Sequence, residues 1–422
     1  MSYLVVSGLI LFALMGAPLF VVIALATMLA FHSLDIEPAA LFIELYRVAS
    51  APSLAAIPLF TFAGFVLANG RAPERLTRLS RAFLGGLRGG VSWAVLGASA
   101  FFTAFTGASG VTIIALGGLL YPLLLKEHYS KNFSLGLITS SGSIGLLFPP
   151  SLPLILYGIV AQVSVDHLFL AGILPGLLLV GVMGLYCRFR SPAVSRAAFS
   201  KSEALAALRD SIWEIPLPLI LIVGIYSGLV TLTEAATVTV LYVLLVGTFI
   251  HKELHPIKDL PRLMLNSMTL VGSIIIILGA AMGFTSYLID EQMPMQLLAF
   301  FKEHIESPIA FLIVLNIFLL IVGCMMDIFS AIIVVVPLII PLALHYGVDP
   351  VHLGIIFLAN LEIGYATPPV GINLFISSAR FSEPVIRLYK AALPFLALQL
   401  IGLLIITYFP DLSLFLVRFA TD

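Results

Sequence analysis

The chain has 422 residues, 60% of them hydrophobic and only 10% charged, with a mean hydropathy of +1.13. A soluble domain carries about 25% charged residues, so the composition excludes a cytosolic enzyme, a nucleic-acid binder and a disordered hub. With 21 basic and 22 acidic side chains the net charge is −1, and no polyanion partner is implied.

Two cysteines, Cys187 and Cys324, supply neither a disulfide framework nor a Cys-based metal site. The fold class expected is an all-α polytopic membrane protein. The opening run, 3–31, has no basic residue before it, and the first one in the chain is Arg47. It reads as a retained helix, since a crossing takes about 20 residues. Further spans are expected near 51–70, 132–161, 167–187, 215–231, 234–250, 265–288, 354–379 and 391–410. The stretches 89–125 and 308–344 are equally apolar but are interrupted midway, at 106–110 and 327–330. Irregular backbone at membrane depth survives only inside protein or beside a wet cavity. Both stretches therefore read as re-entrant hairpins, and the remainder as nine spans.

Self-comparison of the chain superposes its punctuation at a single offset. Gly64 falls on Gly283, Pro122 on Pro341, Gly145 on Gly364, and Pro149-Pro150 on Pro368-Pro369. The chain reads as two copies of one unit, 1–210 and 211–422. Charge gives their orientation. The arm 71–88 carries Arg71, Arg75, Arg78, Arg81 and Arg88 against Glu74, whereas 289–307 carries Asp290, Glu291, Glu303 and Glu306 against Lys302. The connection 188–209 is basic as well, with Arg188, Arg190, Arg196, Lys201 and Arg209. By the positive-inside rule the basic segments face the cytoplasm and the acidic arm faces outward. The units are thus expected to be inverted, as in many secondary transporters, with the N-terminus inside and the C-terminus outside.

Each unit pairs a polar hairpin tip with a helix broken at Pro-Pro: TGASGVT at 106–112 with SSGSIGLLFPPS at 140–151, and CMMDIFS at 324–330 with NLEIGYATPPVG at 360–371. Proline removes a donor and frees a carbonyl one turn earlier. Freed carbonyls and hydroxyls suit a small hard cation, and half-helix N-termini suit an anionic group. Asp327 is the one acid at a tip; it either caps the returning helix or serves a bound cation, or does both. Glu234 and Glu362 read as packing or capping groups. All eight histidines fall in expected loops or span ends, and the pair His251 and His255 lacks the order and acids of a zinc site. No cluster of residues suggests catalysis, so no enzyme is expected.

At these motifs the chain resembles the large membrane subunit of tripartite ATP-independent periplasmic (TRAP) transporters. The resemblance rests on IPLFTFAGFVLANG at 57–70, GGLRGG at 85–90, GASGVT at 107–112, LLFPPSLPLILYG at 146–158 and LTEAATVTVLY at 232–242. MMDIFSAIIVVVPLIIPLA at 325–343 and DPVHLGIIFLANLEIGYATPPVGINLFI at 349–376 complete it. The tip GASGVT departs from the more usual Gly-Ser-Ser-Ala style. The resemblance implies an elevator-type fold and sodium-driven uptake of an organic acid across the bacterial inner membrane. It implies two partners in the lipid bilayer and beyond it: a small four-helix membrane subunit and a periplasmic substrate-binding protein. Carried over by position, one sodium site would use Gly107, Ser109, Ser143 and Gly145, and the other Asp327, Ser330, Gly364 and Thr367. Substrate would lie between the tips, against Ser109, Ser141, Ser143, Asn360, Thr367 and Asn373. A self-sufficient anion/sodium symporter of related architecture is the alternative reading.

Overall fold

The computed structural model describes residues 7–9, 11–12, 15–37, 39–50, 52–84, 86, 88–192 and 200–421, and these are helical or connecting segments without strands. Residues 3–6, Ile10, Ala13 and Leu14 of the expected opening run, Ala51 of the next span, Gly85 and Leu87 of the arm, and Arg196 lie outside them. By length and composition, seven of the described helices can cross a bilayer. The pair Lys131–Leu147 and Leu152–Ala161, bent by 45°, brings the number to eight when it is counted as one broken span.

The expected opening run is not one helix. A turn at Met15 and Gly16 interrupts it, and α1 (Leu19–Ser33) starts after Pro18. Gly16 has φ of 88°, a left-handed conformation that costs glycine little. Next come α2 (Ala39–Ala49) and α3 (Ala56–Asn69), separated by a 3₁₀ turn that starts at Pro52. The equivalent positions of the second half form one continuous 32-residue helix, α13 (Asp259–Asp290), in which Val271 replaces that proline.

The basic arm is the amphipathic helix α4 (Ala72–Leu84). It is pinned by charge. Arg75 donates to Glu214 at 2.7 Å and pairs with Glu253, while Arg81 pairs with Glu127 at 2.6 Å. Arg78 pairs with Glu203 and Asp210, both on α10 (Lys201–Asp210). From here to α20 the helices are α5 (Gly90–Thr106), α6 (Ser109–Lys126), α7 (Lys131–Ser141), α8 (Leu152–Ala161) and α9 (Val165–Arg190). After α10 follow α11 (Pro216–Tyr226), α12 (Leu232–Leu245), α13, and the acidic arm α14 (Met293–His304). The chain ends with α15 (Pro308–Met325), α16 (Ile328–His345), α17 (Pro350–Gly364), α18 (Ile372–Phe381), α19 (Val385–Tyr408) and α20 (Asp411–Thr421).

Helix starts follow capping chemistry. Glu234 completes a reciprocal capping box with Thr231 at the start of α12, the capping role expected of it. Ser130, Ser164 and Ser307 cap α7, α9 and α15. The order of α5 to α9 recurs in α15 to α19: at the same offset Ser109 and Ile328 open helices and Lys126 and His345 close them, while α17 runs on to Gly364 where α7 stops at Ser141. The broken helices form the centre of the molecule. Residues 133–147 and 351–366 are buried throughout, while large apolar side chains such as Leu241, Ile317 and Ile401 are exposed around the outside. A helix apolar on every face belongs at such a centre.

Candidate functional site

The first tip is a two-residue turn. Gly107 ends α5 in the left-handed region, φ 64°, and a Cβ there would lie 2.4 Å from the Leu152 side chain. Ala108 precedes α6 without a side-chain cap. The Ser109 hydroxyl therefore remains available for a distant partner: it donates to Asn373 Oδ1 at 2.7 Å, joining this tip to α18. One turn further along α18, Ser377 accepts from Thr139 of α7 at 2.9 Å. Gly110 lies against Ile376 of the same helix, where a Cβ would come within 2.6 Å of Cδ1.

The first break runs from Gly142 through a 3₁₀ turn (Ile144–Leu147) to the cis Pro149-Pro150 peptide. Thr103 of α5 donates to the Gly142 carbonyl at 2.7 Å, and Thr112 of α6 lies 2.8 Å from the same hydroxyl. Both tip helices thereby grip the break. Gly145 allows the backbones to meet, since a Cβ there would stand 2.2 Å from the Ala100 carbonyl oxygen. Ser141 donates to Ser99 at 3.2 Å, and Ser143 to the Glu362 carbonyl at 3.3 Å. Of the first cation set, Gly145 and Ser143 thus sit at the break, while Gly107 and Ser109 sit at the tip that packs beside it.

The second tip lies at Met326 and Asp327, so residues 328–330 belong to the first turn of α16. The reason is capping. Asp327 Oδ1 accepts from the Phe329 and Ser330 amides at 3.0 and 3.1 Å, and its other oxygen accepts from the Ser330 hydroxyl. The Tyr365 hydroxyl accepts from the Ile328 amide and ties this tip to the second break. Gly371 N–H reaches the Cys324 carbonyl at 3.2 Å, and Gly364 packs on Gly323, where a Cβ would meet backbone at 2.4 Å. Thr367 Oγ1 donates to the Ile363 carbonyl, one turn back. Asp327, Ser330, Gly364 and Thr367 are therefore brought to one tip and break.

Asn360 turns elsewhere. Its amide donates to Asn316 Oδ1 at 2.7 Å and to the Ile356 carbonyl, within a buried polar file that continues through Thr407 to His352 and Ser413. His352 does lie at a span end, and it is buried there at 3% exposure.

Six of the ten buried polar atoms without a partner, among the described residues, belong to the broken helices. Five are oxygens: Ser140 Oγ, Ser151 Oγ, Asn360 Oδ1 and both carboxyl oxygens of Glu362. The sixth is a donor, Asn373 Nδ2. A buried group left unpaired costs about 1–3 kcal/mol. Orphaned oxygens beside hydroxyls and carbonyls form a donor set that fits a hard cation. An orphaned amide N–H fits an anionic oxygen.

The two tips are not chemically equivalent. At the internal repeat offset, Ser109 and Asn373 correspond to Ile328 and Leu154, so the polar joint of the first tip has no counterpart at the second. Sequence reasoning missed Thr103, Thr139 and Ser377. Ser377 alone carried a signal, lying four residues beyond Asn373 and hence on the same helical face. Outside the spans, Glu383 follows α18 and joins it to the start of α7. A hydrogen bond from Lys131, aided by Arg387, holds its carboxyl below the usual range.

Residues 6–412 match the family described as tripartite ATP-independent periplasmic transporter, DctM component. The C4-dicarboxylate TRAP transporter large permease protein DctM of Pseudomonas aeruginosa is 37% identical over 377 residues, covering 88% of each chain. The ectoine TRAP transporter large permease protein TeaC of Halomonas elongata is 31% identical over 99% of both. The isethionate TRAP transporter permease protein DctMQ of Oleidesulfovibrio alaskensis is 35% identical over 96% of this chain and 64% of its own length. In fold, the chain is similar to the Alcanivorax borkumensis YdaH transporter, with TM-score 0.61 and 14% identity over 90% of this chain and 87% of that one.

Proposed function

The chain belongs to the DctM component family of tripartite ATP-independent periplasmic transporters, and from this premise we propose that it is the large permease subunit of a sodium-coupled organic-anion uptake system. Its halves, 1–210 and 211–422, are inverted repeats in the bacterial inner membrane, with the basic arm α4 inside and the acidic arm α14 outside. The tips and broken helices move as one body against the remaining spans, in an elevator motion. A periplasmic binding protein delivers the anion, and a small membrane subunit completes the fixed part.

Asn373 carries the reading of the anion site. Its Nδ2 is buried and unpartnered, while its Oδ1 is held by the first tip through Ser109. An anionic oxygen placed there completes the amide and bridges α18 to the tip. Sodium is assigned to Gly107, Ser109, Ser143 and Gly145 and to Asp327, Ser330, Gly364 and Thr367, at the tips and breaks; the orphaned oxygens of Ser140, Ser151 and Glu362 belong to the same broken helices. The transported molecules in the relatives' names, a C4-dicarboxylate, isethionate and ectoine, each carry at least one carboxylate or sulfonate on a small body. A small carboxylate or sulfonate is the substrate class that this donor supports.

The test is uptake of labelled succinate, isethionate and ectoine by proteoliposomes holding the complete system under an inward sodium gradient. Asn373→Leu should lower uptake at least tenfold, one lost charge-assisted hydrogen bond being worth about 1.5–3 kcal/mol. Ser109→Ala should lower it less. Unchanged uptake by Asn373→Leu removes the anion assignment, and full uptake driven by a proton gradient without sodium removes the coupling.

A further inference from the structure

The basic face divides into two kinds of arginine. Arg75, Arg78 and Arg81 of α4 all face carboxylates. Arg88, Arg188 and Arg190 form no ion pair among the described residues, and the neighbouring segment 193–199 contains no Asp or Glu. One glycine sets Arg88 beside Arg188, and Arg190 follows two residues on at the same helix end. Gly89 has φ of 83°, and a Cβ on it would lie 2.9 Å from Arg188 Cα, so the turn carrying Arg88 lies directly on the end of α9. Trp93 and Gly184 continue the same contact one turn deeper, where a glycine Cβ would come within 2.3 Å of the indole.

Between Arg188 and Arg190 stands Phe189, 71% exposed. Phe83, at the end of the arm, is 48% exposed. Exposed aromatics flanked by unneutralised arginines at a span end match the headgroup boundary of a bilayer. The fold does not require these charges. The equivalent positions in the second half carry Ser307, Thr407 and Phe409, and the helix end there forms without any of them. The charges exist on one side only, the side that the charge bias assigns to the anionic inner leaflet.

We propose that Arg88, Arg188 and Arg190 form a binding site for an anionic phospholipid headgroup, with Phe189 lying among the acyl chains. The site is separate from the anion site at Asn373, and it stands whether or not the coupling assignment does. A lipid phosphate neutralises the three guanidinium groups and holds the α4–α5 turn against the end of α9.

Trp93 supplies the probe, since the only other tryptophan is Trp213. The full chain carrying Trp213→Phe, in phosphatidylcholine nanodiscs, is prepared with increasing fractions of brominated phosphatidylglycerol, and Trp93 quenching is read. Saturable quenching that unlabelled phosphatidylglycerol reverses is expected. Each Arg→Gln change should weaken it roughly fivefold, and all three together on the order of a hundredfold. The Arg→Lys versions should keep most of the affinity and show that the fold is intact. Equal quenching by brominated phosphatidylcholine, or a triple Gln variant with unchanged affinity, overturns the proposal. Reversal by millimolar inorganic phosphate overturns it too, by making the ligand a soluble anion.

Discussion

The Ser143 hydroxyl donates to the carbonyl oxygen of Glu362, the residue that the internal repeat offset places opposite it, at 3.3 Å. The broken helices α7 and α17 therefore meet within the buried centre of the molecule. Glycines on both sides make the approach possible, Gly145 against Ala100 and Gly364 against Gly323.

That packing sets the first prediction. Gly145→Ala and Gly364→Ala each place a methyl group against backbone that cannot move aside, at 2.2 and 2.4 Å. Overpacking of this kind costs about 1–3 kcal/mol. Both variants should unfold several degrees below the parent in detergent melts. Gly97→Ala and Gly181→Ala, with no heavy atom near the added methyl, should melt within about a degree of it or slightly above. Equal melting temperatures across the four would show that the helices do not pack as described.

A second prediction concerns sidedness. Arg78 on α4 and Gln296 on α14 are both solvent-accessible, and the native Cys187 and Cys324 are buried. In intact cells, a membrane-impermeant maleimide should label a cysteine at 296 and leave one at 78 unlabelled until the cytoplasmic face is opened. Labelling of both from one side would exclude inverted repeats.

Much of the layout was legible because prolines and charges act locally. The Pro-Pro breaks, the tip at Gly107, the oppositely charged arms and the cap at Asp327 all follow from residue types at short range. The first span was less legible: Gly16-Ala17-Pro18 is a turn signal, but it lies inside an apolar run long enough to cross unbroken. Contacts across the fold were hidden altogether. Ser109 and Asn373 are 264 residues apart, and no spacing rule joins them. Asn360 sits on a helix buried all round, so periodicity could not reveal that its side chain faces Asn316 rather than the tips.

The third prediction is a pH dependence at Glu383. Its carboxyl is held below the ordinary value of 4.5 by the hydrogen bond from Lys131, with Arg387 adding to it. A depressed carboxylate stabilises the fold above its unfolded value, and that stabilisation disappears as pH falls through the folded value. Glu383→Gln should therefore melt below the parent at pH 7, and the gap should close between pH 4.5 and the acid limit. A gap that persists undiminished in strong acid would mean that packing, and not the charge pair, accounts for the difference. Because its partners Lys131 and Arg387 are both solvent-exposed, high salt should shrink the gap at pH 7 as well.

The last prediction is that this chain alone moves no substrate. The tips and broken helices of the proposed site all lie in α5 to α8 and α15 to α18, so four of the seven span-length helices, α9, α12, α13 and α19, with the shorter helices beside them, are left to act as the fixed part of an elevator. Those that remain present large exposed apolar side chains, among them Phe42, Ile43 and Leu241. On the proposed reading, a second membrane protein packing there would enlarge the fixed part. The segments between helices are short as well, so none among the described residues forms a soluble domain that could capture a dilute anion. Proteoliposomes containing the chain alone should show background uptake under a full sodium gradient. Adding the small membrane subunit should change little, and adding the substrate-loaded binding protein to both should raise uptake at least tenfold. Strong sodium-dependent uptake by the single polypeptide would instead establish a self-sufficient symporter, with all of its fixed part drawn from α1 to α3, α9, α11 to α13 and α19.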